Sequence, residues 1–142
     1  MKVADIMTKQ VVRISPEETV QVAARTLQHH NIGFLPVCGP GDKVCGLVTD
    51  RDLITRCVAA NLPPESTTVR QVMTGRVLSV SPQMEAGTAA HLMGREQVRR
   101  LPVMENGRLC GVLTISDLAK QNESVMDAAD ALSEIAENHR VG

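Results

Sequence analysis

The chain has 142 residues, is 43% hydrophobic and carries a formal net charge of −1. That size suits one compact domain, or two very small halves sharing a core, because a half of roughly 70 residues buries too little surface to be comfortable alone. The near-zero charge provides no basic field for nucleic acid, and with Phe34 the only aromatic the chain lacks the platforms on which bases stack.

The N-terminal Met1-Lys2-Val3-Ala4-Asp5 lacks the apolar stretch of a signal peptide, and no run of about 18 apolar residues follows, so a cytoplasmic protein is expected. A short helical lead-in over residues 3–7 comes first. Val11-Val12-Arg13-Ile14-Ser15 reads as a β-branched strand that Ser15-Pro16 ends. From Thr19 to His30, Val20, Ala23, Ala24 and Leu27 recur at helical spacing, and the alanine pair predicts close packing on a sheet. Phe34-Leu35-Pro36-Val37, the turn Gly39-Pro40-Gly41-Asp42 and the strand from Lys43 to Thr49 read as a hairpin, after which a second helix begins.

The second half then repeats the first. Met7-Thr8 falls on Met73-Thr74, Ser15-Pro16 on Ser81-Pro82, Ala23-Ala24 on Ala89-Ala90 and Leu35-Pro36-Val37 on Leu101-Pro102-Val103. After a one-residue gap in the turn, Cys45-Gly46 falls on Cys110-Gly111, Thr49 on Thr114 and Asp52-Leu53 on Asp117-Leu118. The second turn, Glu105-Asn106-Gly107, is a strong hairpin signal. The repeat divides the chain into an α/β module of order β-α-β-β-α over residues 1–60, a linker over 61–66, a second module over 67–120 and a helical tail over 121–142. In the tail, Ser124 to Asn138 carries an apolar stripe of Val125, Ala128, Ala129, Leu132, Ile135 and Ala136. Five acids (Glu123, Asp127, Asp130, Glu134, Glu137) stand there against Arg140, which leaves the rest of the chain at net +3. Such a helix is expected to dock on its own body or on a partner.

Cys38, Cys45, Cys57 and Cys110 form no CxxC pair and read as small buried hydrophobes in a reducing compartment. Cys38 and Cys45 face each other across the first hairpin in this reading, which leaves a redox or metal role open for them.

Chemistry concentrates at Gly46-Leu47-Val48-Thr49-Asp50-Arg51-Asp52 and its echo Gly111-Val112-Leu113-Thr114-Ile115-Ser116-Asp117. Both place G-x-x-T-x-x-D at a strand-to-helix junction. Capping alone accounts for the Thr and Asp, with Thr as N-cap and Asp at N3, worth about 1 kcal/mol each. The same junction also suits an anion, and its Asp can accept hydrogen bonds from two ribose hydroxyls. Arg51 is unfavourable for the helix dipole unless an anion compensates it. Arg99-Arg100 stand where the first repeat has Gly33-Phe34.

These repeated marks, taken together over residues 3–120, resemble a tandem pair of cystathionine-β-synthase (CBS) domains, a Bateman module, of the small stand-alone bacterial type. The resemblance implies two modules packed sheet to sheet about a pseudo-twofold axis, with clefts that bind AMP, ADP or ATP, or else S-adenosylmethionine or NAD. It implies that Thr49 and Asp52, with Asp50 beside them, hold a ribose, that adenine lies against Val77 and Leu78 near Leu47, and that Arg51, Arg99 and Arg100 meet phosphates. A second, weaker cleft would use Val11, Val12, Thr114, Ser116 and Asp117. It further implies a homodimer and a target protein left unnamed; with no metal-spaced His/Cys cluster in the chain, no resident cofactor or metal is expected.

Two rival functions stay in view. His29, His30, His91 and His139 have no nucleophile beside them in a recognisable pattern and the chain has no P-loop, so no catalytic residue is expected. In the other rival, the T-x-x-D boxes are caps alone and the apolar clefts form a protein-interaction dimer.

Overall fold

The computed structural model describes residues 1–121 and 125–139, with backbone alone at 138 and 139. The expected helix start at Ser124, and the charges of Glu123 and Arg140, lie outside the described residues. The fold is mixed α/β with two small antiparallel sheets. It divides into two compact units, an inner one of residues 12–77 and an outer one of residues 1–11 with 78–142. Each unit therefore takes its lead-in from the other repeat.

In the inner unit, α2 (Val20–His30) begins where the Thr19 hydroxyl accepts the Val22 N–H and ends at Asn31, which adopts the left-handed conformation. Val20, Ala23 and Leu27 turn inward. Strands β1 (Phe34–Cys38) and β2 (Val44–Thr49) pair from Phe34↔Thr49 to Val37↔Gly46, and a bulge then leaves Cys45 without a partner. Helix α3 (Asp50–Leu53) continues as a π-type turn over Ile54–Val58. The lead-in helix α4 (Val69–Val72) is capped by Thr68 and Gln71. Leu35, Val37, Val48, Cys57, Val69 and Val72 are fully buried in one core.

The outer unit repeats this plan. It comprises α1 (Val3–Ile6), α5 (Ala86–Glu96), β3 (Arg100–Glu105), β4 (Arg108–Thr114), α6 (Ile115–Ala119) and the tail helix α7 (Val125–His139). Asn106 and Gly107 both sit at positive φ, 54° and 76°, as a two-residue hairpin turn requires. The bulge recurs, now at Cys110. Val3, Ala89, Met93, Leu101, Val103, Leu113 and Leu118 fill the core.

The strands expected at Val11–Ser15 and Val77–Val80 contract to single parallel bridges, Ile14–Val37 and Val80–Val103. Proline is the cause. The Ile14 N–H donates to the Pro36 carbonyl at 3.0 Å and the Ile14 carbonyl accepts from Cys38 at 2.8 Å. Extending the ladder backwards would need an N–H on Pro36, and extending it forwards one on Pro16, and neither exists. Pro102 and Pro82 stop the second copy in the same way.

Two glycines let the lead-ins dock. Thr74 exchanges both backbone hydrogen bonds with Leu47, and Thr8 with Val112, at 2.8–2.9 Å. A Cβ on Gly46 would lie 2.5 Å from the Thr74 carbonyl oxygen, and one on Gly111 would lie 2.7 Å from that of Thr8. The glycine of G-x-x-T-x-x-D is thus a point of close backbone approach.

The tail helix packs on α5 and α6. Its buried residues are Ala128, Ala131 and Ile135, whereas Val125, Ala129, Leu132 and Ala136 of the expected stripe are exposed. The helix is rotated toward its small residues because α5 presents Gly87, Ala90 and Gly94. A Cβ on Gly94 would lie 3.3 Å from the Ala131 Cα and 2.6 Å from a Glu134 carboxylate oxygen. Among the described residues no helix is long and apolar enough to cross a membrane.

Candidate functional site

Each T-x-x-D sequence forms a complete capping box. The Thr49 hydroxyl accepts the Asp52 N–H at 3.1 Å, and an Asp52 carboxylate oxygen accepts the Thr49 N–H at 3.0 Å. Thr114 and Asp117 make the same pair, both at 3.0 Å. Capping consumes one oxygen of each carboxylate and leaves the second for something else.

The two carboxylates have different further partners, and in the outer unit the partner reaches both oxygens. In the inner unit, Arg56 Nε lies 3.9 Å from Asp52 Oδ1, and Arg56 Nη1 donates to the Val72 and Met73 carbonyls at the end of α4. In the outer unit, Asp117 accepts the Thr8 hydroxyl at 3.3 Å. Arg56 stands near Asp52 as a half-exposed charge beyond hydrogen-bonding reach, while Thr8 donates to Asp117 as a neutral hydroxyl. Neither partner was among the sequence-derived site residues. Arg56 was legible as the i, i+4 neighbour of Asp52, but Thr8 is 109 residues from Asp117.

A cavity of about 360 Å³ opens in the outer unit, lined by Arg99, Arg100, Thr114, Ile115, Ser116 and Leu132. The backbone explains why the arginines meet the T-x-x-D box: the Ile115 N–H donates to the Arg99 carbonyl at 2.9 Å. In the inner unit the Asp50 N–H donates to the Gly33 carbonyl at 3.0 Å. Gly33 and Asp50 stand there in the places of Arg99 and Ile115, and Arg51 takes the place of Ser116. Asp50 Oδ1 accepts the Arg51 N–H at 2.8 Å.

The remaining candidates divide between the units. Leu47, Thr49, Asp50, Arg51, Asp52, Val77 and Val12 belong to the inner unit, and Val11, Leu78, Arg99, Arg100, Thr114, Ser116 and Asp117 to the outer one. The expected apolar pairs Val11-Val12 and Val77-Leu78 are therefore each split at a unit boundary. The structure gathers Arg99 and Arg100 with Thr114 and Ser116, residues that the sequence reading had placed in separate clefts.

All four cysteines are free thiols. Burial pushes the Cys38 thiol above its ordinary value, with Arg13 opposing and Asp42 reinforcing the shift. Burial also raises Cys110, with the Glu105 charge adding to the shift and a hydrogen bond with the Glu105 backbone opposing it. Among the described residues no three His, Cys, Asp or Glu side chains gather as a metal site requires.

The sequence model of the CBS domain matches this chain twice, over residues 3–59 and 69–124. The CBS domain-containing protein YhcV of Bacillus subtilis is 37% identical over 134 residues, which cover 94% of each chain. The crystal structure of Hypoxic Response Protein I with two coordinated zinc ions superposes with a TM-score of 0.77 at 33% identity, covering 85% of this chain and 98% of that one. The CBS domain pair of protein MJ0100, in complex with 5′-methylthioadenosine and S-adenosyl-L-methionine, superposes with a TM-score of 0.71 at 26% identity, covering 84% and 94%.

Proposed function

The chain belongs to the CBS-domain family as a tandem pair of regulatory modules, and from that premise we propose that it is a non-catalytic sensor whose ligand is an adenine nucleotide or another adenosyl compound. The observation that carries the reading is the outer-unit cavity. Its volume of about 360 Å³ falls in the range of small-molecule pockets. It offers two cations, two hydroxyls and two apolar side chains, which suits a molecule with an anionic end, a sugar and an apolar base. Thr114, and Asp117 bonded to it beside the lining, would hold the ribose hydroxyls, displacing Thr8 from the Asp117 carboxylate. Arg99, Arg100 and Ser116 would meet phosphate or carboxylate oxygens.

The inner unit supplies a second candidate site at Leu47, Thr49, Asp50, Arg51, Asp52 and Val77. There Gly33 and Phe34 stand where the outer unit has Arg99 and Arg100, so this site is the weaker of the two for an anionic ligand. AMP, ADP and ATP suit the paired arginines best, and the relative that binds adenosyl ligands keeps S-adenosylmethionine in the set. We place the protein in the cytoplasm, where four free thiols stay reduced. It acts there as a homodimer on a target protein, and exposed Ile54 and Val58 supply apolar surface for such contacts.

The test is a thermal-shift panel of AMP, ADP, ATP, S-adenosylmethionine and NAD against the wild type, Asp117→Ala and Asp52→Ala. A ligand at 100 times its Kd should add about 2.7 kcal/mol. A shift abolished by Asp117→Ala supports the reading. A panel in which no compound shifts the wild type overturns it in favour of a ligand-free interaction module.

A further inference from the structure

We infer that the tail helix α7 is part of the ligand site, with Leu132 as a binding residue contributed from outside both repeats. The inference rests on the adenosyl reading above and adds to it a contact residue and a moving part. Leu132 lines the same cavity as Arg99, Arg100, Thr114, Ile115 and Ser116.

Burial on α7 makes this position unusual. Ala128, Ala131 and Ile135 anchor the helix on the outer-unit core and are at most 3% exposed. Leu132 lies between these anchors in sequence yet remains 38% exposed. Part of its apolar surface is left uncovered and borders the cavity. Ile115 is 6% exposed and, among the described residues, supplies the other large apolar side chain of the lining. The remaining four lining residues are polar or cationic. An apolar base is therefore recognised by Ile115 and Leu132, and the anionic end by the arginines.

Ligand occupancy and tail docking are then linked. A base covering Leu132 removes apolar surface from water only when α7 is seated. A ligand that prefers the seated state must shift the helix toward it. The docking is close because Gly87, Ala90 and Gly94 bring α7 near the α5 backbone, where Gln21, Ala24 and Gln28 occupy the corresponding positions of α2. The tail is consequently specific to the outer unit.

The experiment is isothermal titration of AMP, ATP and S-adenosylmethionine into the full chain, its Leu132→Ala and Leu132→Met variants, and Ser133→Ala as an exposed control on the same helix. Amide hydrogen exchange over residues 125–139 is recorded with and without each probe. Leu132→Ala should weaken the bound probe roughly tenfold, as loss of a leucine contact implies. Leu132→Met and Ser133→Ala should bind within about twofold of wild type, since methionine keeps the apolar volume. Exchange over α7 should slow on binding. Wild-type binding that Leu132→Ala leaves intact, with unchanged α7 exchange, overturns this inference and spares the adenosyl reading. No binding of any probe to the wild type overturns both.

Discussion

Replacing Gly111 by alanine should cost about 2 kcal/mol, although a single methyl group is added to a strand. The new Cβ would lie 2.7 Å from the Thr8 carbonyl oxygen and 3.0 Å from the Met7 Sδ. The first contact is with backbone, which has no rotamer to escape into. If the lead-in stays, the overpacking costs about 1–3 kcal/mol. If it retreats, the reciprocal Thr8–Val112 hydrogen bonds, both 2.9 Å, are lost at about 1 kcal/mol each. Either route arrives near the same figure. Gly75→Ala is the control, because nothing lies within 4 Å of the Cβ it would add and its φ is ordinary, and a less flexible unfolded chain makes that change neutral or slightly stabilising. Thermal unfolding followed by circular dichroism should show Gly111→Ala lowered by roughly 6–8 °C and Gly75→Ala unchanged or raised. A Gly111→Ala midpoint equal to that of Gly75→Ala would refute the close-approach argument.

Other substitutions probe the tail, the Asp52 partner and the buried thiol. Gly94→Leu should unseat α7, because the side chain would enter the space held by Ala131 and Glu134; limited proteolysis would show the tail cleaved first, and equal resistance to wild type would contradict the packing. Arg56→Met should destabilise the inner unit by about 1 kcal/mol, modest because the Arg56 side chain is 49% exposed, while removing the charge beside Asp52. Urea midpoints and titration stoichiometry check the two effects, and a gain in stability would count against the Arg56 bridge to α4. Burial raises the Cys38 pKa, so the folded state holds that proton more tightly than the unfolded chain. The resulting stability is present below the unfolded pKa and is lost as pH rises through the folded one. Urea midpoints should fall as pH climbs past about 9 in the wild type and fall less in Cys38→Val; parallel curves would remove Cys38 as the cause.

Legibility differed between the fold and the site. The two capping boxes, both hairpin turns and α2 with α5 were readable because each depends on residues within a few positions of one another. Thr49 with Asp52, or Asn106 with Gly107, needs no knowledge of the rest of the chain. The tail showed an apolar stripe but not which edge of it is buried, because the answer lay in Gly87, Ala90 and Gly94 on another helix.

Sequence alone determined that the chain is a duplicated α/β module, since the repeated residues stand in one order and local physics folds each copy alike. Tertiary structure decided which lead-in serves which sheet, because Gly46 and Gly111 admit a strand without specifying its origin. It also decided where the cations sit. Arg99 precedes β3 and Arg100 begins it; the pairing of Arg100 with Thr114, continued by the Ile115 hydrogen bond to the Arg99 carbonyl, brings them to the T-x-x-D box, and the tail adds Leu132 to the same cavity. The hairpin part of the site follows from its turn and register, whereas Leu132 comes from a helix outside the hairpin and leaves no local pattern that ties it to the site.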